Sequence, residues 1–492
     1  KKASEKIDMS KHKGEHPRFG ATDVCPLIPV SNISFKELIP YAEKLAKRVY
    51  ETLNIPIYLY EYAAKEEKRK NLANVRSGEY EGLKEKISKK EWKPDFGLAF
   101  NKKSGATAIG VRDFLIAYNI NLNTKSTRLA NAIAFDVREK GRIKRKGHPV
   151  IGDIVYDKNG NPEKIPGSLK HVKAIGWYID EFGIAQISMN LTNITETPIH
   201  TVFDEVSKKA EIRGARVTGS ELVGLIPLKS MLDAGKYFLK KQNRSIGIPE
   251  IDIIKVAIES LGLNQVKNFD PETNIIEYYL DKISNKNKKL IDFSARELSD
   301  EVLRESPAPG GGSVSSYVGS LGASLSGMVA NLSCNTRGWE DKVDVFSNIA
   351  FKINKIREKL LFLVDEDSKA FNNIINSFKL PKNNNEEKKI REKEIINSTL
   401  YAAKVPLKVM KESFLIYSHI KNLVDNGNQN SISDSGVACL CVYACIHGAY
   451  LNVRINLKDI ENDQGIMKEA IEILKKSEIE KEKILRLIDQ KI

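Results

Sequence analysis

Cysteine is scarce in this chain, and no two cysteines form a Cys-x-x-Cys pair. The five present (Cys25, Cys334, Cys439, Cys441, Cys445) make no disulfide framework in 492 residues. The last three suggest a metal cluster at first sight. At helical spacing Cys441 and Cys445 share a face and Cys439 does not, so buried small residues are expected and a metal is not. The same scarcity points to a cytoplasmic location. Uninterrupted apolar runs are missing too. The longest, 436–457, carries His447, Asn452 and Arg454, which predicts a central bundle helix and no integral membrane segment. No signal-peptide pattern opens the chain. A P-loop is also absent, because the glycine run at 310–312 is not followed by Gly-Lys-Ser/Thr.

Charge is plentiful: 78 Lys+Arg against 64 Asp+Glu give a net +14. Such an excess favours anionic partners. The cations are scattered among acids, as in KEEKRK and KKEW, with no basic tract carrying interleaved aromatics. Nucleic acid is therefore not the expected partner. The length suits about three domains.

Residues 1–112 mix helix and strand. VCPLIPV and IPIYLYEYAA read as strands. SFKELIPYAEKLAKRVYETL between them reads as a helix, with Leu38, Tyr41, Ala42, Leu45 and Val49 at helical spacing. A second α/β unit spans 113–280. It runs from the strand FLIAYNINL to the helix STRLANAIAFDVREKG, ending at Gly141, and an inserted hairpin, VIGDIVYDKNGNPEKIPG. Paired strands (AIGWYIDEFGIAQISMNLTN) and the helix HTVFDEVSKKAEIRGA follow. DKISNKNKKL, 281–290, is a linker by composition. From 291 to 492 strand signals vanish and long helical patterns predict an all-α bundle. The expected fold class is multidomain: two βαβ-type sandwich subdomains followed by a helical domain.

Five stretches could carry chemistry. In LLFLVDEDSKAFNNII, Asp367 falls on the stripe Ile353, Ile356, Leu360, Leu363, Ala370 or Phe371, Ile374, whereas Asp365 and Glu366 fall off it and are expected in solvent. A carboxylate on a buried seam needs a partner or a task. In ESPAPGGGSV, Gly310, Gly311 and Gly312 precede a helix expected to start near Ser313. Such glycines can aim N–H groups at a ligand, or simply make a tight turn into a close-packed helix. HKGEHPRFG sets His16 two residues from Arg18, which suits acid–base work on an anionic substrate, or a structural turn. WKPDFGLAFNKKSGATA brackets Lys102 and Lys103 with glycines, as a ligand clasp or a plain loop. NGNQNSISDS places Asn430 and Asp434 at the entry of the most apolar helix, as bundle-site groups or as caps.

IDMSKHKGEHPRFGATDVCPLIPV, KAIGWYID with QISMNLTN, GSELVGLIPLKSMLDAGKYF, SPAPGGGSV, LVDEDSKAF, FKLPKN and VRINLKDI occur here in that order. Together they resemble the formimidoyltransferase-cyclodeaminases, bifunctional folate enzymes of histidine breakdown. The resemblance implies transfer of a formimino group from N-formimino-L-glutamate to tetrahydrofolate, then ring closure to 5,10-methenyltetrahydrofolate with loss of ammonia. It makes His16 the transferase's proton shuttle and Asp367 the cyclodeaminase's acid. Gly97, Leu98, Ala99, Phe100, Asn101, Lys102, Lys103, Ser104 and Gly105 match the folate loop, one residue shorter here than the family's usual one. Gly310–Gly312, Lys379 and Lys382, with Asn430 and Asp434, are expected near the folate and its glutamate tail. The co-substrate is tetrahydrofolate, expected as a polyglutamate, and the assembly a homo-oligomer of dimers in a ring. The family's opening strand (VPNFSEG) and following helix have no counterpart, so an N-terminal truncation is expected. The alternative reading is cyclodeaminase activity alone.

Overall fold

The computed structural model describes residues 1–13, 17–30, 32–147, 151–284, 288–463 and 465–492. His16 lies outside the described residues. The chain divides into two compact units. One holds Lys1–Tyr118, Thr127–Trp177 and Ile187–Thr197; the other holds Asn119–Ser126, Tyr178–Gln186 and Pro198–Ile492.

In the first unit β1 (Val24–Leu27), β2 (Ile57–Glu61) and β3 (Thr107–Val111) form a parallel sheet in the order β1-β3-β2. Successive strand side chains point to opposite faces. Both faces are covered here, which is why IYLY is apolar without interruption. Ile57, Leu59, Ile109 and Val111 pack with Ala42 and Ala46 of the helix Phe35–Leu53. Tyr58, Tyr60 and Ala108 pack on the other side with Leu83 and Ile87 of the helix Glu79–Ser88. Ser34 opens the first helix through a capping box with Glu37, which occupies amide groups that the helix itself leaves unpaired.

A second sheet combines β4 (Ile116–Leu122) with three later strands. Between them the predicted hairpin stands on β5 (Arg142–Ile143) and β6 (Lys164–Ile165), paired antiparallel. His148 to Val150 within it lie outside the described residues. β7 (Val172–Ile179), β8 (Ile184–Leu191) and β9 (Val217–Val223) complete the order β7-β8-β4-β9. The helix expected to end at Gly141 stops at Val137. Gly141 follows at φ +61°, where a Cβ would lie 1.8 Å from the Ile165 carbonyl oxygen, so close approach to β6 demands glycine. The helix Ile276–Ser284 runs into the segment that composition reads as a linker.

The second unit contains the helices Gly311–Cys334, Val343–Phe378, Asn385–Phe414, Ile416–Asn426, Ile432–Asn456 and Ile466–Asp489, gathered around one apolar core. Small residues let two of them touch closely. A Cβ on Gly319 would sit 2.5 Å from Cys445 Sγ, and one on Gly448 would sit 2.4 Å from Ser315 Oγ. Gly311–Cys334 and Ile432–Asn456 therefore run antiparallel in contact. The apolar run is thus a bundle helix: long and apolar enough for a bilayer, it buries Ala438, Val442, Ile446, Ala449 and Val453 completely. Burial also pushes the Cys439 and Cys445 thiols up to about 12, which keeps them protonated and unreactive.

Candidate functional sites

In the first unit the two segments singled out for transfer chemistry lie against each other. Gly20 and Gly105 form an antiparallel bridge. Ala106 N–H donates to the Phe19 carbonyl (3.0 Å), Ala21 N–H to that of Ser104 (2.9 Å) and Met9 N–H to that of Lys103 (2.9 Å). No side chain fits between the strands of this contact. A Cβ on Gly20 would lie 1.8 Å from the Ala106 oxygen, and one on Gly105 would lie 2.1 Å from that of Phe19.

The 97–105 loop is held from within. Asn101 Oδ1 accepts from Ser104 N–H (2.9 Å) and its Nδ2 donates to the Asn54 carbonyl (3.1 Å). That leaves Leu98, Ala99, Lys102 and Lys103 exposed, an apolar surface beside two cations. Beside it, Lys13, Arg18, Gly78, Glu79 and Glu81 line an open cleft of about 500 Å³.

Arg18 is not free for a substrate carboxylate. Its two terminal nitrogens donate to Glu81 (2.9 and 2.8 Å), and Nη1 also reaches Glu79 (3.2 Å). The Arg18 guanidinium holds the Glu81 carboxyl down at about 2, so the pair stays ionised at neutral pH. Among the described residues that line the cleft, Lys13 is the other cation.

In the second unit Asp367 sits where the periodicity put it. Ile353, Ile356, Leu360, Leu363 and Ala370 along its stripe are all buried. Its Oδ2 accepts from Ser313 Oγ (3.1 Å), and the Ser313 backbone N–H also donates to the carboxylate. The helix it meets begins at Gly311, two residues before the expected start. A Cβ on Gly312 would lie 2.2 Å from Asp367 Oδ1. The last glycine of the run is therefore there to admit the carboxylate to a positively polarised helix end.

Burial pushes the Asp367 carboxyl above the usual carboxylate range, and the two Ser313 bonds oppose that rise. Ser313 Oγ has the Val364 carbonyl (2.9 Å) and Ser368 Oγ (3.1 Å) within reach as well. Ser313 also lines an apolar pocket of about 260 Å³ with Leu298, Val302, Pro309 and Tyr317.

Asp365 and Glu366 do not stand in solvent as expected. Asp365 Oδ1 accepts from Leu290 N–H (2.7 Å), and the Tyr401 hydroxyl donates to Glu366. At these two positions other elements of the same unit meet the helix, so leaving the apolar stripe does not mean reaching water.

The remaining expected residues are spread out. Lys379, twelve residues on from Asp367, is about 18 Å further along the helix axis, and both it and Lys382 are exposed. Asn452, not Asp434, adjoins the glycine turn: its Nδ2 would meet a Gly311 Cβ at 3.2 Å. Asp434 stands about 27 Å away down that helix, with Asn430 beyond it. Within one chain the structure thus gathers Asp367, Gly310–Gly312, Ser313 and Asn452. Ser313 escaped the sequence reading, although its place directly after three glycines is the mark of a first-turn hydroxyl. Among the described residues no group of His, Cys, Asp and Glu could hold a metal ion.

Comparison with known proteins covers both halves. Three family models match in order: the formiminotransferase domain's N-terminal subdomain at 1–112, the formiminotransferase domain at 117–281 and formiminotransferase-cyclodeaminase at 294–476. The chain is 41% identical over 463 residues to the formimidoyltransferase-cyclodeaminase of Gallus gallus, covering 94% of this chain and 82% of that protein. The protein of the same name from Dictyostelium discoideum is 38% identical over 490 residues, 99% of this chain and 86% of its own length. A glutamate formimidoyltransferase from Streptococcus pyogenes serotype M1 is 38% identical over 244 residues, 49% of this chain and 73% of its own. The chain therefore belongs to the formimidoyltransferase-cyclodeaminase family.

Proposed function

We propose that the α/β part moves the formimino group of N-formimino-L-glutamate to N5 of tetrahydrofolate, and that the helical part closes the 5-formiminotetrahydrofolate to 5,10-methenyltetrahydrofolate and ammonia. Both steps add a nitrogen to an amidine carbon and then expel an amine. An amine leaves readily only when protonated, so each site needs a group that can supply a proton.

In the transfer, N5 attacks the formimino carbon, the bond from that carbon to the glutamate nitrogen breaks, and a proton passes from N5 to the departing nitrogen. His16 carries that proton. The exposed 97–105 loop takes the folate, and its two lysines meet the glutamate tail. In the closure, N10 attacks the same carbon and its hydrogen ends on the imino nitrogen. Asp367 adds the second proton needed for ammonia to depart.

The observation that carries the reading is the placement of Asp367. A carboxyl on an apolar seam, raised by burial and facing the glycine turn, suits a general acid. The net charge of +14 suits a polyglutamylated folate held between consecutive steps. A cytoplasmic ring of dimers belongs to the same proposal. Cyclodeaminase action alone is not favoured, because the relatives align through both halves.

A coupled absorbance assay tests it. Tetrahydrofolate and N-formimino-L-glutamate together should yield methenyltetrahydrofolate, one glutamate and one ammonia released per turnover. Product from supplied 5-formiminotetrahydrofolate alone would mean that the transfer is absent.

The pH dependence has a definite sign. A general acid works while protonated, so closure should slow as pH rises through the raised pKa of Asp367. The Ser313 hydroxyl lowers that pKa; Ser313→Ala should move the alkaline limb of kcat to higher pH. A limb that stays in place or moves down would detach it from Asp367.

A further inference from the structure

The described residues of the first unit contain a connection that the reading above leaves unused. The helix Glu79–Ser88 is entered through two consecutive left-handed residues, Gly78 at φ +84° and Glu79 at φ +51°. Glycine adopts that conformation freely; glutamate does so only when its surroundings hold it there. The Glu79 N–H donates to the Arg76 carbonyl (2.8 Å), and the turn before it is anchored from below. Lys86 Nζ is buried beneath the turn and donates to the carbonyls of Asn74 (2.8 Å), Val75 (2.8 Å) and Ser77 (3.0 Å). The same ammonium lies 4.0 Å from the centroid of the Trp92 ring.

What the strained entry delivers is Tyr80, set between two segments far apart in sequence. Its backbone N–H donates to the Arg18 carbonyl (3.0 Å), on the segment of His16. Its hydroxyl donates to the Lys102 carbonyl (2.6 Å), at the tip of the 97–105 loop. Its ring packs against Phe100 of that loop, centroids 5.8 Å apart. The neighbours on either side, Glu79 and Glu81, hold the Arg18 side chain. One turn therefore grips the proposed proton shuttle's segment and the proposed folate loop together.

We infer that Tyr80 is a positioning residue of the transferase: its hydroxyl sets the 97–105 loop for tetrahydrofolate in register with the segment bearing His16. The inference rests on the proposed transfer reaction. It assigns Tyr80 no contact with the reacting atoms. The bond is to a backbone carbonyl, so what it controls is the shape of the loop, and phenylalanine would keep the ring packing while losing that control.

Tyr80→Phe in the full chain tests this by two readouts. In steady-state transfer, KM for tetrahydrofolate should rise about fivefold, the factor one ordinary hydrogen bond supplies, with kcat lowered less than about twofold. In hydrogen exchange, amides 97–105 should exchange faster than in the unmutated chain while those of the helical bundle do not. Unchanged KM together with unchanged exchange at 97–105 would overturn the inference. So would an equal fall in kcat for transfer and for closure of supplied 5-formiminotetrahydrofolate, which marks general damage. If the unmutated chain performs no transfer, the proposed function fails. The exchange measurement still decides whether Tyr80 holds the loop.

Discussion

Asp367→Asn is expected to lower turnover of supplied 5-formiminotetrahydrofolate by about a thousandfold, the middle of the range that a general acid contributes. Asparagine keeps the shape of the side chain and one oxygen for the Ser313 donors, but it has no proton to give. Loss of folding does not explain such a fall. The native pKa of Asp367 lies above its unfolded value, so between those two values the native state binds more protons. Stability therefore drops as pH rises through that window. Partial burial disfavours the charged form of Asp367, a cost in stability that the neutral amide does not carry, so the variant should melt no lower than the parent. Transfer, proposed for the segment of His16, should be untouched. Retained closure in a folded Asp367→Asn chain would remove this residue from the chemistry.

Gly20→Ala is expected to slow the other reaction by at least about a hundredfold. The added methyl would lie 1.8 Å from the Ala106 carbonyl oxygen, against backbone that cannot swing aside as a side chain would. The bridge between Gly20 and Gly105 would have to open, at about 3 kcal/mol, the upper end of ordinary overpacking. Opening it separates the segment of His16 from the 97–105 loop. A displacement of about 1 Å in a reacting pair lowers rates roughly a hundredfold, so transfer should fall by at least about that factor while closure continues. Parallel kinetics on the two substrates, with thermal unfolding as a control, check this. A Gly20→Ala chain that transfers normally would show that the contact between the two segments is not needed.

Much of the framework was legible because it rests on local periodicity. The uninterrupted IYLY of β2 reflects a sheet covered on both faces, and the three-then-four spacing of Ile353 to Ala370 singled out Asp367. What escaped depends on how distant elements meet. Asp365 and Glu366 leave the apolar stripe, yet Leu290 and Tyr401 meet them there, and no pattern on their own helix announces either. Asn430 and Asp434 stand at one end of their helix and the glycine turn at the other, because that helix runs antiparallel to Gly311–Cys334. Direction of packing is invisible in a single stretch of sequence. Arg18 looked free for a substrate because its partners, Glu79 and Glu81, lie some sixty residues on, in a Glu- and Lys-rich stretch with no local mark of a site. Tyr80 was hidden in the same stretch. Gly78 was the one local sign that the helix begins there in an unusual way.

The central claim, two consecutive reactions on one folate with Asp367 confined to the second, is tested most directly by stopping the sequence between them. The Asp367→Asn chain, given N-formimino-L-glutamate and tetrahydrofolate, should release glutamate at the parental rate and accumulate 5-formiminotetrahydrofolate, with almost no ammonia and no methenyl absorbance. Ammonia and methenyl product at the parental rate, or no glutamate release at all, would contradict the account.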